Sequence, residues 1–456
     1  MRSKAIGALA GAALLATLTA GCGGGASADD SGTVTVTVGY QSRTINTVTA
    51  GTLLRSLGYF EEELRGRGER DGVTYKVKWQ DYATGAPITA QMTAGKIDIG
   101  SMGDFPLLIN AARGTQLNRP TRLVSVTGYN LAGGLNTVVT APDSKLDSLS
   151  DLRGKKVSTS VGSAADGTLV RALQQAGIDP EKDIRKLNQQ PAVGASALQA
   201  GSADALSQFV AWPGLLAFQG RAKALYDGAE LKLPTFHGVT VRQDFAKKRS
   251  AVVEDFLRAQ GRATDYLHEH PVAASESVAK ATGLPAEVVH LYNGSQGIAT
   301  FDTTLKPALI AALKKDVPVL RSAKLVGDVD VDGFVDDSYI KRVFGSGYAK
   351  ALAAGPPARR GGGEVWLKGK DTTTAFATSA ELLRYVAAHR DAVRTAYVPD
   401  ASTGTLWFAD RAVWVSDGDE LRPYVTGSAA RADATAHPGA RTVSYSTALD
   451  LARAAS

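Results

Sequence analysis

Five short stretches carry the residue types best suited to holding a ligand. They are Tyr40-Gln41-Ser42, Ala83-Thr84-Gly85-Ala86, Ser101-Met102-Gly103-Asp104, Ser160-Val161-Gly162-Ser163-Ala164 and the region of Gln208 and Trp212. Their hydroxyls, amides and backbone N–H groups can grip an anion without adding competing negative charge. The candidate contacts are Gln41, Ser42, Thr84, Gly85, Ser101, Gly103, Asp104, Ser160, Gly162, Ser163, Gln208 and Trp212. Singly, a Ser or Gly at such a place is an ordinary turn or cap residue; the repetition after several strands points to a site. Asp104 and Asp166 complicate a plain anion, since a carboxylate facing the ligand would better meet an ammonium. Both read first as caps at helix N-termini.

Several sharper motifs fall away. Asp328-Val329-Asp330-Val331-Asp332-Gly333 copies half a calcium loop, but position twelve is Tyr339 rather than Glu, and the alternation reads as an exposed strand edge. His268-Glu269-His270 places its imidazoles at i and i+2, which point apart on a helix. His237 could reach a cleft between lobes or simply sit in a strand returning from one sheet to the other, and the second is the reading preferred. Asn293-Gly294-Ser295 matches a glycosylation acceptor. The chain has no G-x-S-x-G, P-loop or H-E-x-x-H, so no catalytic residue, metal or cofactor is assigned.

The loops need elements to position them. Thr33–Tyr40, 73–79 and 96–100 read as strands alternating with helices over 46–61, 88–94 and 105–112, which implies a parallel sheet. A second sheet-based unit begins at Asn136–Thr140 and runs through strands at 156–160 and 206–210, with helices at 168–176 and 195–200. The chain returns through 238–242 and is mostly helical from 247 to 315. Two lobes with a there-and-back connection predict a hinge with ligand between them. Residues 355–363 are rich in Gly, Pro and Arg and read as a linker with few contacts across it. Beyond it, strands near 364–367, 395–398, 405–408 and 442–445 and helices at 379–388 and 446–454 make a small α+β domain.

The chain has 456 residues, enough for two or three domains. Fifty-one Lys+Arg against 45 Asp+Glu gives only +6 with no long basic block, which argues against nucleic acid as a partner. The single cysteine, Cys22, excludes internal disulfides and thiolate metal sites. It follows Arg2, Lys4 and an apolar run from Ala5 to Leu18 that is too short to span a bilayer permanently. Leu18-Thr19-Ala20-Gly21-Cys22 resembles the lipobox of bacterial lipoproteins, which implies a cleaved leader of residues 1–22 and lipid on Cys22. Residues 23–32 then read as a flexible tether.

An ordered series of motifs carries a family resemblance: Gly39-Tyr40-Gln41, Gly58-Tyr59-Phe60, Gly95-Lys96-Ile97-Asp98-Ile99-Gly100, Gly103-Asp104-Phe105-Pro106, Leu149–Val157 and Gly201-Ser202-Ala203-Asp204-Ala205. The chain resembles the nitrate/sulfonate/taurine group of ABC-transporter substrate-binding proteins over residues 33–345. The resemblance implies an α/β type II periplasmic-binding fold. Lobe I would be 33–135 and 235–345, lobe II 136–234, the linker 346–364 and the small domain 365–456. It further implies a monomer, lipid-anchored on the extracytoplasmic face of the cell membrane, passing a small anion such as an aliphatic sulfonate, nitrate or taurine to an ABC permease. Two other readings stand beside it: a pyrimidine-precursor binding or biosynthesis protein of the same fold, and an adhesion or scaffold lipoprotein working through its tail. Arg394–Val398 and Leu406–Ala412 are similar to copper-chaperone domains of the nitrous-oxide-reductase accessory type. The tail has no Met or Cys to select soft copper.

Overall fold

The computed structural model describes residues 32–356 and 361–454; the leader, Cys22 and the tether up to residue 31 lie outside them. Thr33–Tyr40 is a strand whose Val34, Val36 and Val38 are fully buried, as period-two patterning requires of a core face. It pairs in parallel with Thr74–Asp81 and Ile99–Gly103. The first sheet is nevertheless mixed rather than parallel. Thr235–Arg242, returning from the second lobe, enters antiparallel between Ile99–Gly103 and Thr121–Asn130, and Thr300–Phe301 closes that edge. The second sheet orders its strands Arg185–Asn188, Lys156–Thr159, Ala205–Phe209, Asn136–Thr140 and Lys223–Asp227. The chain crosses between the two sheets at 131–135 and again at 232–234.

Three local expectations need correction. The helix expected over 46–61 is broken into a 3-10 segment Ile45–Ala50 and helices Thr52–Leu57 and Tyr59–Asp71, the last two divided at Gly58 with φ of 70°. Asp328–Asp332 is not a strand edge: Asp330 Oδ1 accepts from Gly333 N at 2.9 Å and caps the short helix Val331–Phe334. Nor are residues 346–364 one linker. Tyr348–Ala353 is a helix held to lobe I by the buried Tyr348, and Gly363 opens the first strand of the tail.

The tail builds two small antiparallel sheets. One orders Thr373–Phe376, Gly363–Leu367, Val393–Pro399 and Leu406–Phe408; the other, Glu420–Tyr424, Val413–Asp417 and Arg441–Val443. It does not stand apart from the body, contrary to the linker reading. Tyr397, Trp407 and Phe408 share one hydrophobic core with Val288, Val289 and Tyr292 of lobe I and Val210 and Leu215 of lobe II. Trp366 is fully buried against Val272 and Ala286. Its indole Nε1 donates to Lys370 O at 2.8 Å, and the Arg394 guanidinium lies 3.9 Å from its ring centre.

Candidate functional site

Four helices start at the face where the lobes meet. They are Gly85–Thr93 and Asp104–Gln116 of lobe I, and Ala164–Gln175 and Pro191–Gln199 of lobe II. The residues preceding them, Thr84, Gly103, Ser163 and Gln190, all line one cleft of about 180 Å³. Each helix follows a strand or a loop leaving a strand, so its first N–H groups aim past the carboxyl ends of the sheets. The lining includes no Asp, Glu, Lys or Arg. A negative charge there gains about 0.3–1 kcal/mol per helix end, less in salt.

Of the expected contacts, the structure brings Gln41, Thr84, Gly85, Gly103, Ser160, Gly162 and Ser163 to this cleft. Thr84 is buried and its Oγ1 has no partner. Gln41 is held in place by its Nε2, which donates to Ser101 O at 3.1 Å. Ser160 Oγ donates to Gln189 O at 2.9 Å and accepts from Gln208 Nε2 at 3.2 Å. Ser163 caps its helix by accepting from Asp166 N at 3.2 Å.

The other five lie off the lining. Ser42 turns away to Asp81, bonding it through both N (2.8 Å) and Oγ (2.6 Å). Ser101 and Gln208 are buried behind the wall, each with one oxygen unpartnered. Trp212 begins the helix Trp212–Phe218 and packs into hydrophobic clusters, with Arg43 5.9 Å from its ring centre. Asp104 is fully buried and turned inward, accepting from Phe105 N at 2.8 Å and Phe236 N at 3.2 Å. Burial pushes its carboxyl up to about 6, against the pull of those bonds. Asp166 is buried and also off the lining: its Oδ2 accepts from Gly162 N at 3.0 Å, and its Oδ1 lies 3.8 Å from Lys186 Nζ.

Sequence reading left out His237, Asn188, Gln190 and Phe209, all of which line the cleft. His237 does sit in the returning strand, as expected, but that strand carries it to the cleft. Burial holds its pKa down to about 3, so the ring is neutral at pH 7. The Asn46 amide nitrogen lies 2.5 Å from Nδ1; with that donor there, Nδ1 accepts and the ring proton is on Nε2. Gly103 gives that edge room: a Cβ there would stand 3.1 Å from Nε2. The pairing of His237 with Gly103 across antiparallel strands is long-range register, invisible to local pattern.

The lobes touch around the cleft. A Cβ on Gly162 would meet Ile109 at 3.1 Å, and one on Gly167 would strike the Phe105 ring. Arg171 of lobe II donates to Asp316 Oδ1 of lobe I at 2.8 Å. Asp316 is nearly buried, and both burial and the neighbouring Asp104 push its carboxyl well up.

Two α/β lobes, crossed twice by the chain and closing on a cleft at the ends of their strands, define a type II periplasmic-binding fold. The alkanesulfonate-binding protein SsuA from Xanthomonas axonopodis pv. citri, solved bound to MOPS, shares it. Its TM-score is 0.56 at 23% identity, over 66% of this chain and 98% of that one. Residues 71–274 match the NMT1/THI5-like family. The chain is a relative of sulfonate- and taurine-binding proteins. It is 28% identical over 242 residues to an Escherichia coli protein named for binding aliphatic sulfonates, covering 53% of this chain and 72% of that one. It is also 28% identical over 186 residues to the taurine-binding periplasmic protein of Escherichia coli, covering 40% and 55%. Among the described residues no helix is long and apolar enough to cross a membrane.

Proposed function

We propose that the chain is the solute-binding lipoprotein of an ABC importer, anchored through Cys22 outside the cytoplasm, and that it delivers a small anion to its permease. An aliphatic sulfonate is the first choice, with nitrate and taurine as near rivals. The observation that carries the reading is the convergence of four helix N-termini on one cleft whose lining has no charged side chain. About 180 Å³ is room for roughly six waters, well below a drug-sized pocket. Neither Asp104 nor Asp166 is on the lining, which favours a plain anion over the ammonium of taurine.

Calorimetric titration tests this directly. Ethanesulfonate should bind at least about tenfold tighter than taurine, a difference of about 1.4 kcal/mol. No binding of ethanesulfonate, nitrate or taurine, with tight binding of a cation instead, would sink the reading. The anchor is separable: a fatty-acid probe that labels Cys22→Ala as strongly as the natural chain removes it.

The pyrimidine-precursor reading is favoured by one observation, a histidine at the cleft. A neutral ring whose Nδ1 is taken by Asn46 suits a fixed hydrogen-bond donor better than a nucleophile's base. The chain's one thiol, Cys22, belongs to the leader stretch.

A further inference from the structure

The tail fastens to both lobes and to the hinge between them. On lobe I the ties are more numerous, and one of them is fully buried. His290 Nε2 lies 3.2 Å from Glu364 Oε1, both side chains fully buried. Arg394 donates to Glu287 at 2.6 Å and Glu276 at 3.0 Å, and Tyr397 Oη donates to Glu287 O at 2.8 Å. On lobe II the ties are fewer and more exposed. Thr403 Oγ1 donates to Asp227 Oδ2 at 2.8 Å, and Arg431 pairs with Asp147 at the surface. A single parallel bridge joins Thr426 to Ala224. Between these attachments the tail meets the crossover itself: a Cβ on Gly134 would stand 3.1 Å from Thr405 Oγ1. Asp227 caps the 3-10 segment Gly228–Leu231, which leads into the second crossover.

We infer that the C-terminal domain is a brace across the hinge, which holds the two lobes near the angle at which the cleft is closed. Two lobes that swing about their crossovers change their distance from any third body beside the hinge. A body tied to both must let go of one as the cleft opens. The lobe II side gives way first. Beside the apolar contacts of Val210 and Leu215 and the bridge at Ala224, its side-chain ties are one hydroxyl–carboxylate bond, an exposed bond from Arg411 to Phe218 O and a surface ion pair worth little in water. None is as buried as His290 on Glu364. Solute in the cleft and a seated brace then favour the same lobe angle, so each strengthens the other. This coupling rests on the cleft being the solute site, but the brace itself does not.

The test reads the lobe angle without any solute. In a Cys22→Ala chain, Thr115→Cys on lobe I and Ala200→Cys on lobe II, both exposed, would be the only thiols. Spin labels there should give one narrow distance distribution. Adding Thr403→Val with Arg431→Ala should broaden it and move it to a second distance, while Thr403→Ser, which keeps the hydroxyl, should leave it narrow. Ethanesulfonate affinity should fall about threefold to tenfold in the Val/Ala chain as closed molecules become scarcer. An unchanged distribution in the Val/Ala chain overturns the brace, and so does a Thr403→Ser chain as broad as the Val/Ala chain. If no anion binds but the distances respond as described, the solute assignment fails and the brace stands.

Discussion

In the cleft, the polar groups are uncharged and some are left without partners: Thr84 Oγ1 at the lining, Ser101 Oγ and Gln208 Oε1 just behind it. At the seat of the tail two ionisable groups, Glu364 and Arg394, have their hydrogen bonds met within the protein. Glu364 takes His290, Ser295 at 3.1 Å and Thr373 at 2.6 Å; Arg394 takes two carboxylates and the face of Trp366. A contact whose purpose is to hold parts together uses its hydrogen bonds within the protein, since a buried charge without a partner is costly. A contact meant for a solute keeps donors in reserve and avoids fixed charges that would choose the wrong ligand. The two regions bury similar chemistry for different ends.

Two substitutions should separate these ends most sharply. Trp366→Ala empties a fully buried site and removes the ring under Arg394, so it should lower unfolding stability by about 3–5 kcal/mol. Chemical denaturation should show one transition moved as a whole. A small early transition with the main midpoint unmoved would mean that the tail is not part of the body's core. Gly103→Val should do the reverse. Gly103 has φ of −71°, open to any residue, so the cost is space alone: the new side chain would press on His237 Nε2 and approach Ala164. Ethanesulfonate affinity should fall at least about tenfold, or about 1.4 kcal/mol, with a smaller stability change than Trp366→Ala. Normal affinity in Gly103→Val would move the solute out of this cleft.

The contrast also explains what could be read from sequence. Helix N-termini after strands are local events, marked by Thr84-Gly85, Gly103-Asp104 and Ser163-Ala164, so seven of the expected contacts meet in space. Ser42 was indistinguishable in sequence from its neighbours, because what turns it away is Asp81, thirty-nine residues on. His237 reached the cleft through antiparallel register, and Gln190 precedes its helix without a side-chain cap bond and is not one of the usual capping residue types. The seat of the tail was not legible. Its Gly- and Pro-rich approach reads as a tether, while the evidence against one lies in pairings such as His290 with Glu364 and Glu287 with Arg394, far apart in the chain. The short strands Thr373–Phe376 and Glu420–Tyr424 escaped notice because polar residues break up their apolar pattern.

The smallest expected effect is the dependence of stability on pH, and it should have opposite signs in the two regions. Burial raises the Asp104 carboxyl from its ordinary value near 3.8 to about 6. Between those values the folded chain holds a proton that the unfolded chain has released. Its contribution to stability therefore falls as pH rises from about 4 to about 6, and then levels off. Glu364 is also penalised by burial, but the bonds from His290, Thr373 and Ser295 outweigh the penalty and hold it below its ordinary 4.5. Its stabilisation is present above 4.5 and is lost as pH falls through the lowered value. Thermal unfolding of three chains from pH 3.5 to 7.5 should reveal both arms. Asp104→Asn should flatten the decline toward neutral pH, and Glu364→Gln should flatten the decline toward acid. If Glu364→Gln flattened the neutral arm instead, the seat would be burying a protonated acid, and the contrast between a reserved cleft and a fully engaged seat would fail.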